Sequence, residues 1–397
     1  MAAQTMTDMD KTTPGYSLRD IVLYFLKLGT WGFGGPVALA GYMHRDLVER
    51  KGWISEEDYK EGLALAQLAP GPLAAQLGIY IGYVHYKIPG ATLTGLAFVL
   101  PSFLMVLALG FIYTLYEGIP WMQAVFYGVG AAVIGIIAMS AYKLTKKSIG
   151  TDKWLIGIYL LSAVFTVVYE TENVWLFLGA GVLYWLIKSP PKRLWLPGRD
   201  AAPSLLAVPL FQAAGSATSG GTLWKIALYF TKAGAFVFGS GLAIVPFLYG
   251  GVVKEYAWLN EQQFMDAVAV AMITPGPVVI TVGFIGYLVS GFPGACVAAF
   301  ATFFPCYLFT ILPAPYFRKY GKHPGIKAFV DGVTAAAIGA ISGAVIVLGK
   351  RSLTDAWTIG LAAVTILVLY RFKKIPEPLI ILLAAIAGIL LKTIVTP

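Results

Sequence analysis

Gln67-Leu-Ala-Pro-Gly-Pro72 and Met272-Ile-Thr-Pro-Gly-Pro277 set a Pro-Gly-Pro break inside an apolar stretch twice in one chain, and the residues around the breaks repeat with them. Phe25, Lys27, Gly29, Phe33, Gly34, Trp53, Glu56 and Pro70 return in the same order as Phe230, Lys232, Gly234, Phe238, Gly239, Trp258, Glu261 and Pro275. One residue is then lost from the second copy, after which Gly82, Tyr83, Pro89, Gly90 and Pro101 match Gly286, Tyr287, Pro293, Gly294 and Pro305. Two halves of an apolar chain that share Gly/Pro-broken segments are the signature of a secondary transporter with its site at the repeat interface. Function is therefore to be sought at the breaks.

Composition sets the class. Hydrophobic residues make up 58% of the 397 and charged residues 12%, against ~45–50% and ~25% in soluble domains. With a mean hydropathy of +0.74, the chain reads as a multi-pass protein of the cell membrane. Its apolar stretches are about as long as the ~20 residues of a spanning helix, whereas a barrel would show short alternating segments. The start carries no basic region followed by a short apolar run and a cleavage site, so the first apolar segment, from Leu18, reads as retained. Cys296 and Cys306 lie inside apolar segments, and His44, His85 and His323 are far apart. Neither a disulfide framework nor a metal site is readable, and no cofactor is expected. The net charge of +9 sits in short loops, where orientation in the bilayer and anionic lipid account for it without nucleic acid. The sequence is compatible with a homo-oligomer.

The organisation is an N-terminal repeat (1–188), a linker rich in Pro, Ser, Ala and Gly (189–221) and a C-terminal repeat (222–397). Six apolar segments can be drawn in each half, in matching order. Segment two opens on Trp53-Ile-Ser-Glu-Glu-Asp58 or Trp258-Leu-Asn-Glu-Gln-Gln263, where Ser55 and Asn260 are N-caps with a polar partner three residues on. From there the helix runs only ~21 Å, at 1.5 Å per residue, before Pro-Gly-Pro stops it. That is short of the ~30 Å hydrocarbon core. Gly can close one helix and the following Pro open the next, so segment two reads as two half-helices.

Loop charge gives the path. Basic residues lie at Arg45, Arg50 and Lys51, at 143–153 and in the linker, while loops 116–120 and 169–173 carry none; in the second half the equivalents of those two loops are the basic ones. Since short cytoplasmic loops are rich in Lys and Arg, the fold class is an all-α polytopic membrane protein of two inverted repeats. Each has about five crossings plus one broken or re-entrant helix. This path leaves Lys350 and Arg351 outside.

In the bilayer interior, unwound backbone survives only where it is buried in protein or lines a cavity. Phe33-Gly-Gly-Pro36 and Phe238-Gly-Ser-Gly241 interrupt segment one as Ala69-Pro-Gly-Pro72 and Thr274-Pro-Gly-Pro277 interrupt segment two. The helical runs after Pro36, Pro72, Gly241 and Pro277 begin with unbonded N–H groups and the positive end of the peptide dipole, a ready site for a small anion. Duplication of both breaks favours this over the alternative, that Gly and Pro merely permit close packing. The candidate binding residues are Phe33, Gly34, Gly35, Pro36, Pro70, Gly71, Pro72, Phe238, Gly239, Ser240, Gly241, Thr274, Pro275, Gly276 and Pro277, with Gln67 as a one-sided donor. Lys27 and Lys232 stand before the first break of each half, where a charge is costly unless it faces a cavity or snorkels to the interface. Glu61 and Asp266 correspond early in segment two and are candidates for carrying a coupling proton; solvated first-turn residues are the commoner case.

These residues also carry a resemblance. Leu26-Lys-Leu-Gly29, Phe33-Gly-Gly-Pro36, the run Leu47-Val-Glu-Arg-Lys-Gly-Trp53, Gln67-Leu-Ala-Pro-Gly-Pro72, Ile81-Gly-Tyr83 and Leu100-Pro-Ser102, followed by the degenerate second copy, resemble the chromate ion transporter family in its long, two-domain form. The resemblance implies movement of chromate, with sulfate as structural analogue, and resistance by efflux. The second copy departs from it at Phe-Gly-Ser-Gly241 and at Met272, where a Gln is frequent. The expectation is a secondary transporter of a tetrahedral oxyanion, proton-coupled and working by alternating access, and not an enzyme. An exporter of small organic solutes such as amino acids is one alternative. A membrane-embedded enzyme acting on lipid phosphates is another, although that would call for clustered His, Asp or Glu at membrane depth.

Overall fold

The computed structural model describes residues 15–33, 35–116, 120–170, 173–190, 221–237, 241, 244–320, 323–372 and 375–395. Gly34, Phe238, Gly239, Ser240 and most of the linker lie outside them. The first half comprises α1 (Leu18–Trp31), α2 (Gly35–Met43), α3 (Glu56–Leu68), α4 (Leu73–Tyr116), α5 (Pro120–Ser148), α6 (Lys153–Tyr169) and α7 (Val174–Lys188). The second comprises α8 (Thr222–Ala235), α9 (Ile244–Leu248), α10 (Glu261–Ile273), α11 (Thr281–Ile311), α12 (Ala314–Tyr320), α13 (Pro324–Ser352), α14 (Ala356–Arg371) and α15 (Glu377–Val395). Each half adds a π-helical turn before segment two, at His44–Arg50 and Tyr249–Glu255. No strand occurs among the described residues. Among them, four helices are long and apolar enough to cross a membrane, and the chain is a multi-pass membrane protein.

Segment two starts where its caps place it. Ser55 Oγ accepts the Asp58 N–H at 3.0 Å, and Asn260 and Gln263 cap each other at 2.8 and 3.1 Å. Both α3 and α10 last 13 residues and end at Pro-Gly-Pro. The chain then folds back, with the Tyr80 ring of α4 against Gly62 of α3. Tyr16 joins the two ends of this hairpin, stacking on Trp53 at 4.8 Å and bonding His85 Nδ1 at 2.7 Å. At Lys87 (φ 52°) α4 turns again, so that 73–86 and 88–116 lie antiparallel and Thr94 Oγ1 donates to Gly78 O at 3.0 Å. In α11 the same turn falls at Gly291 (φ 60°).

Segment one, drawn as a crossing from loop charge, folds back as well. Leu39 of α2 lies over Gly32, and Tyr24 of α1 lies beside Asp46 of the π-helical turn. In the second copy Tyr229 of α8 packs on Gly251 and donates to Phe247 O at 2.8 Å. Charge locates loop ends only, and cannot tell a broken helix that crosses from one that returns.

The halves interlock. Long α13 packs on α6 and α7 of the first half, and its counterpart α5 packs on α14 and α15 of the second. The arms that follow the turns at Lys87 and Gly291, 88–116 and 292–311, run antiparallel to each other, Thr92 bonding Tyr307 at 2.7 Å near one end and Gly110 facing Tyr287, just before the α11 turn, near the other. Arg351, which the charge rule leaves on the wrong face, is paired there with Glu170 and Glu261, and Lys254 reaches Glu170 at 3.0 Å. Lys254 first and Arg351 next hold the Glu170 carboxyl below the usual carboxylate range. A depressed carboxylate adds stability above its ordinary value and loses it only as pH falls through the lowered one, so the cluster is intact at neutral pH.

Inversion makes a direct prediction. Gly150 and Thr354, equivalent exposed loop positions, should lie on opposite faces, Gly150→Cys labelled from inside and Thr354→Cys from outside. Labelling on one common face, with Cys296 and Cys306 replaced, would require parallel repeats.

Candidate functional site at the crossed breaks

The breaks meet across the repeat interface. The Gly71 N–H donates to Val237 O at 2.6 Å, and the Gly276 N–H donates to Gly32 O at 3.0 Å. Each segment-two tip is thus bonded to the segment-one tip of the opposite half, with no side chain involved. Gly71 (φ 142°) and Gly276 (φ 94°) hold backbone angles that a Cβ opposes. Their surroundings match too, since a Cβ on Gly71 would come within 3.1 Å of Cys306 Cβ, and one on Gly276 would collide with Ser102 Oγ. Ser102 and Cys306 are repeat equivalents. Ser102 donates to Pro275 O at 2.6 Å, while the weaker Cys306 thiol turns to Thr302 O and Gly234 O at 3.3 and 3.5 Å.

The first tip has a tether of its own that sequence reading missed. Gln76, fully buried in the first turns of α4, donates from Nε2 to Pro70 O at 2.7 Å. That bond fixes the amide orientation, because a flipped amide would set two acceptors against each other. Gln76 Oε1 is left buried without a hydrogen-bond partner. An amide four residues after Pro72 in an otherwise apolar run was the available signal. Gln67, the donor singled out from sequence, is exposed on α3 instead.

Helix starts at the breaks follow the sequence closely. Gly35 and Pro36 open α2, Pro72 precedes α4, and Pro277 precedes a 3-10 turn, Val278–Ile280, that leads into α11. The Gly71 and Gly276 N–H groups are taken by the opposite half, so what these tips can offer an anion is the first-turn N–H groups of the following helices. Gly241 is buried.

Cationic side chains gather beside one tip. A cavity of about 830 Å³ is lined by α1 and the first π-helical turn, from Asp20, Tyr24 and Lys27 to Phe33 and from Tyr42 to Trp53. Lys27, Arg45, Arg50 and Lys51 face Asp20 and Asp46 in it. Asp46 is shared by Arg45 at 2.9 Å and Arg50 at 3.5 Å, and Lys51 lies over the Trp53 ring at 4.0 Å. Lys27 has no carboxylate partner among the described residues and is the cation nearest the break in sequence. Trp31 and Phe33 also line a smaller, mostly apolar cavity with Thr274 and Pro275 of the other half, so the basic cavity abuts the crossed tips.

At the equivalent place in the second half the described residues are closely packed. Tyr229, the counterpart of Tyr24, is packed by Phe247, Tyr256 and Trp258 at ring distances of 5.5 to 5.8 Å. Gly250 and Gly251 replace Arg45 and Asp46, and an added Cβ at Gly251 would overlap the Tyr229 ring. Lys232 is exposed, 6.0 Å from the centre of the Phe247 ring. The lysines are thus equivalent in sequence and unequal in setting.

The acidic candidates differ as well. Asp266 is 3% exposed, accepting from Tyr113 Oη and Gln262 Nε2, both at 2.8 Å. Glu61 is half-buried on α3.

A family model described as "Chromate transporter" matches residues 19–185 and again 224–389. The "Chromate transport protein" of Cupriavidus metallidurans is 69% identical over 380 residues, 95% of this chain and 94% of that one. The "Probable chromate transport protein" of Synechococcus elongatus is 64% identical over 379 residues, 95% and 96% of the two chains. The "Chromate transport protein" of Pseudomonas aeruginosa is 29% identical over 391 residues, 94% and 92% of the two chains. No solved structure matches. These relatives are transporters, so the lipid-phosphate enzyme reading falls away. A duplicated family match that spans both interlocked halves, with the same description on relatives of full length, makes this chain a member of the chromate transporter family.

Proposed function

We propose that this chain moves chromate, with sulfate as its structural analogue, out of the cell in exchange for protons, by alternating access at the crossed breaks. The observation that carries the reading is the basic cavity of about 830 Å³ whose Lys27 has no acidic partner among the described residues and whose wall, at Gly32 and Phe33, is one of those breaks. Two arginines neutralise Asp46, so the remaining positive charge is available to a tetrahedral dianion. The dianion would pass from Lys27 to the first-turn N–H groups behind the Pro-Gly-Pro tips, exchanging water for fixed dipoles. Phe33, Gly35, Pro36, Pro70, Gly71, Pro72, Thr274, Pro275, Gly276, Pro277 and Gly241 shape that passage, and Lys232 is the cation of the opposite half. Gly34, Phe238, Gly239 and Ser240 belong to the same breaks in sequence.

One-sided access fits this cycle. The basic cavity opens beside residues 45–51, while the opposite face is closed by the Glu170, Lys254, Arg351 and Glu261 cluster and by the aromatic packing around Tyr229. Opening that face would separate the Gly71–Val237 and Gly276–Gly32 bonds, each worth about 1 kcal/mol net, a cost small enough for a reversible step. No nucleotide-binding loop is present in the sequence, so a gradient is the energy source.

Fluxes of labelled chromate and sulfate in proteoliposomes, with and without a proton gradient, test the reading. Saturable chromate flux that exchanges with internal chromate, is competed by sulfate and is accelerated by the gradient is expected. Non-saturating flux without exchange would mean a channel, and transport of amino acids in its place would move the substrate class.

A further inference from the structure

We propose that Asp266 is the carboxylate that takes up the coupling proton, entering from the outer face, and that Tyr113 of the opposite half is its positioning residue. The inference rests on the proton-coupled reading above and deepens it. Asp266 lies on α10 at the inner wall of a cavity of about 430 Å³ that is also lined by Tyr113, Gln123, Tyr127, Asn260, Gln262, Gln263 and Lys392. The ionised form is held by donors at both oxygens, Gln262 Nε2 at Oδ1 from the same helix and Tyr113 Oη at Oδ2 from α4. The Tyr113 bond crosses from one repeat to the other. It is therefore a contact that reorganises when the halves move, which is what coupling requires of a proton site.

The groups facing Asp266 can be named element by element. From α4 there is Tyr113, whose ring also meets Phe284 of α11. From α5 there is Tyr127, whose hydroxyl donates to Asp355 at 2.6 Å. From α15 there is Lys392, 5.2 Å from the centre of the Tyr127 ring. On α10 itself, Glu261 lies one turn earlier and is engaged by Arg351. Among the described residues, Asp266 is an acid that both lines the cavity and bonds the other repeat.

The equivalent place in the first half carries different residues. Glu61 stands for Asp266, but Phe317 stands for Tyr113, and α3 packs on α4 and α12 whereas α10 also packs on α5 and α15. Gln262 is replaced by Glu57, so a like charge sits where a donor is needed. The cavity's position sets the direction of proton entry. Tyr113 is near the end of α4 and Met122 near the start of α5, flanking the loop that the charge rule places outside. In the step itself a hydronium ion from the external solution gives a proton to Oδ2: one O–H bond of hydronium breaks, one forms on the carboxyl, and a neutral water and the neutral acid result. The Tyr113 O–H then loses its anionic acceptor.

The full-length chain in proteoliposomes separates coupling from carriage. Asp266→Asn should keep chromate–chromate exchange near the wild-type rate, while accumulation driven by a proton gradient falls by ~10-fold or more, the scale of a typical coupling free energy. Glu61→Gln should keep both. Tyr113→Phe should keep exchange and move the pH midpoint of driven transport, a readout that loss of packing alone would not move. Gradient-driven accumulation by Asp266→Asn overturns the proposal. So does loss of exchange together with driven flux at equal protein in the membrane, which would make Asp266 a structural residue. Wild-type exchange that ignores the gradient would instead overturn proton coupling itself, and this assignment with it.

Discussion

Gly276→Ala is expected to abolish chromate transport while the chain still inserts, and Gly71→Ala to follow it closely. Alanine in a left-handed conformation costs about 1–2 kcal/mol, and at Gly276 the new methyl also meets Ser102 Oγ, so the tip must move. Moving it breaks the Gly276–Gly32 and Ser102–Pro275 bonds together. At Gly71 the methyl meets the Gln76 amide at 2.6 Å, the group that holds Pro70 O. A second variant separates collision from conformation. Ser102→Ala with Gly276→Ala removes the clash and keeps the backbone penalty, so transport should return only in part. Flux per unit of membrane-inserted protein is the measurement, and normal flux in both single variants would remove the tips from the pathway.

Lys27→Gln should weaken chromate and sulfate far more than a monovalent anion such as nitrate. A unit charge about 6 Å away at an effective dielectric near 20 contributes about 3 kcal/mol, and a dianion gains twice what a monoanion does. Water in the open cavity screens part of this, so a loss of ~10-fold or more in apparent chromate affinity is expected. Lys27→Arg keeps the charge and changes its shape, and should retain more transport than Gln if charge governs. Lys232→Gln should act in the same direction but less strongly, because Lys232 lies beside Phe247 in the packed half. Competition by sulfate and by nitrate, at matched expression, reads the ratio. Unchanged chromate affinity in both Gln variants would make the lysines snorkelling anchors.

Sequence alone determined the membrane class, the duplication and the points at which helices start and stop. Those features are written locally: Ser55 and Asn260 cap whatever follows them, and Pro-Gly-Pro cannot continue a helix in any tertiary setting. The inverted order of basic loops was legible for a similar reason, as charge acts on each loop during insertion. Arg351 is an exception to that rule, and the partners that hold it, Glu170 and Glu261, are remote in the chain and visible only in the folded structure. Tertiary structure decided what the breaks touch. Gly71 meets Val237 and Gly276 meets Gly32 because two inverted halves dock with their tips crossed, and backbone hydrogen bonds leave no mark on side-chain identity. Packing within each half returned segment one on itself, Gln76 is buried while Gln67 is exposed, and docking gave Asp266 a phenol from the other repeat. Equivalent residues became unequal in two ways: within a half, where Gly251 stands for Asp46 beside Tyr229, and across the interface, where Phe317 stands for Tyr113 and a pattern within one repeat carries no information about the surface it will meet in the other.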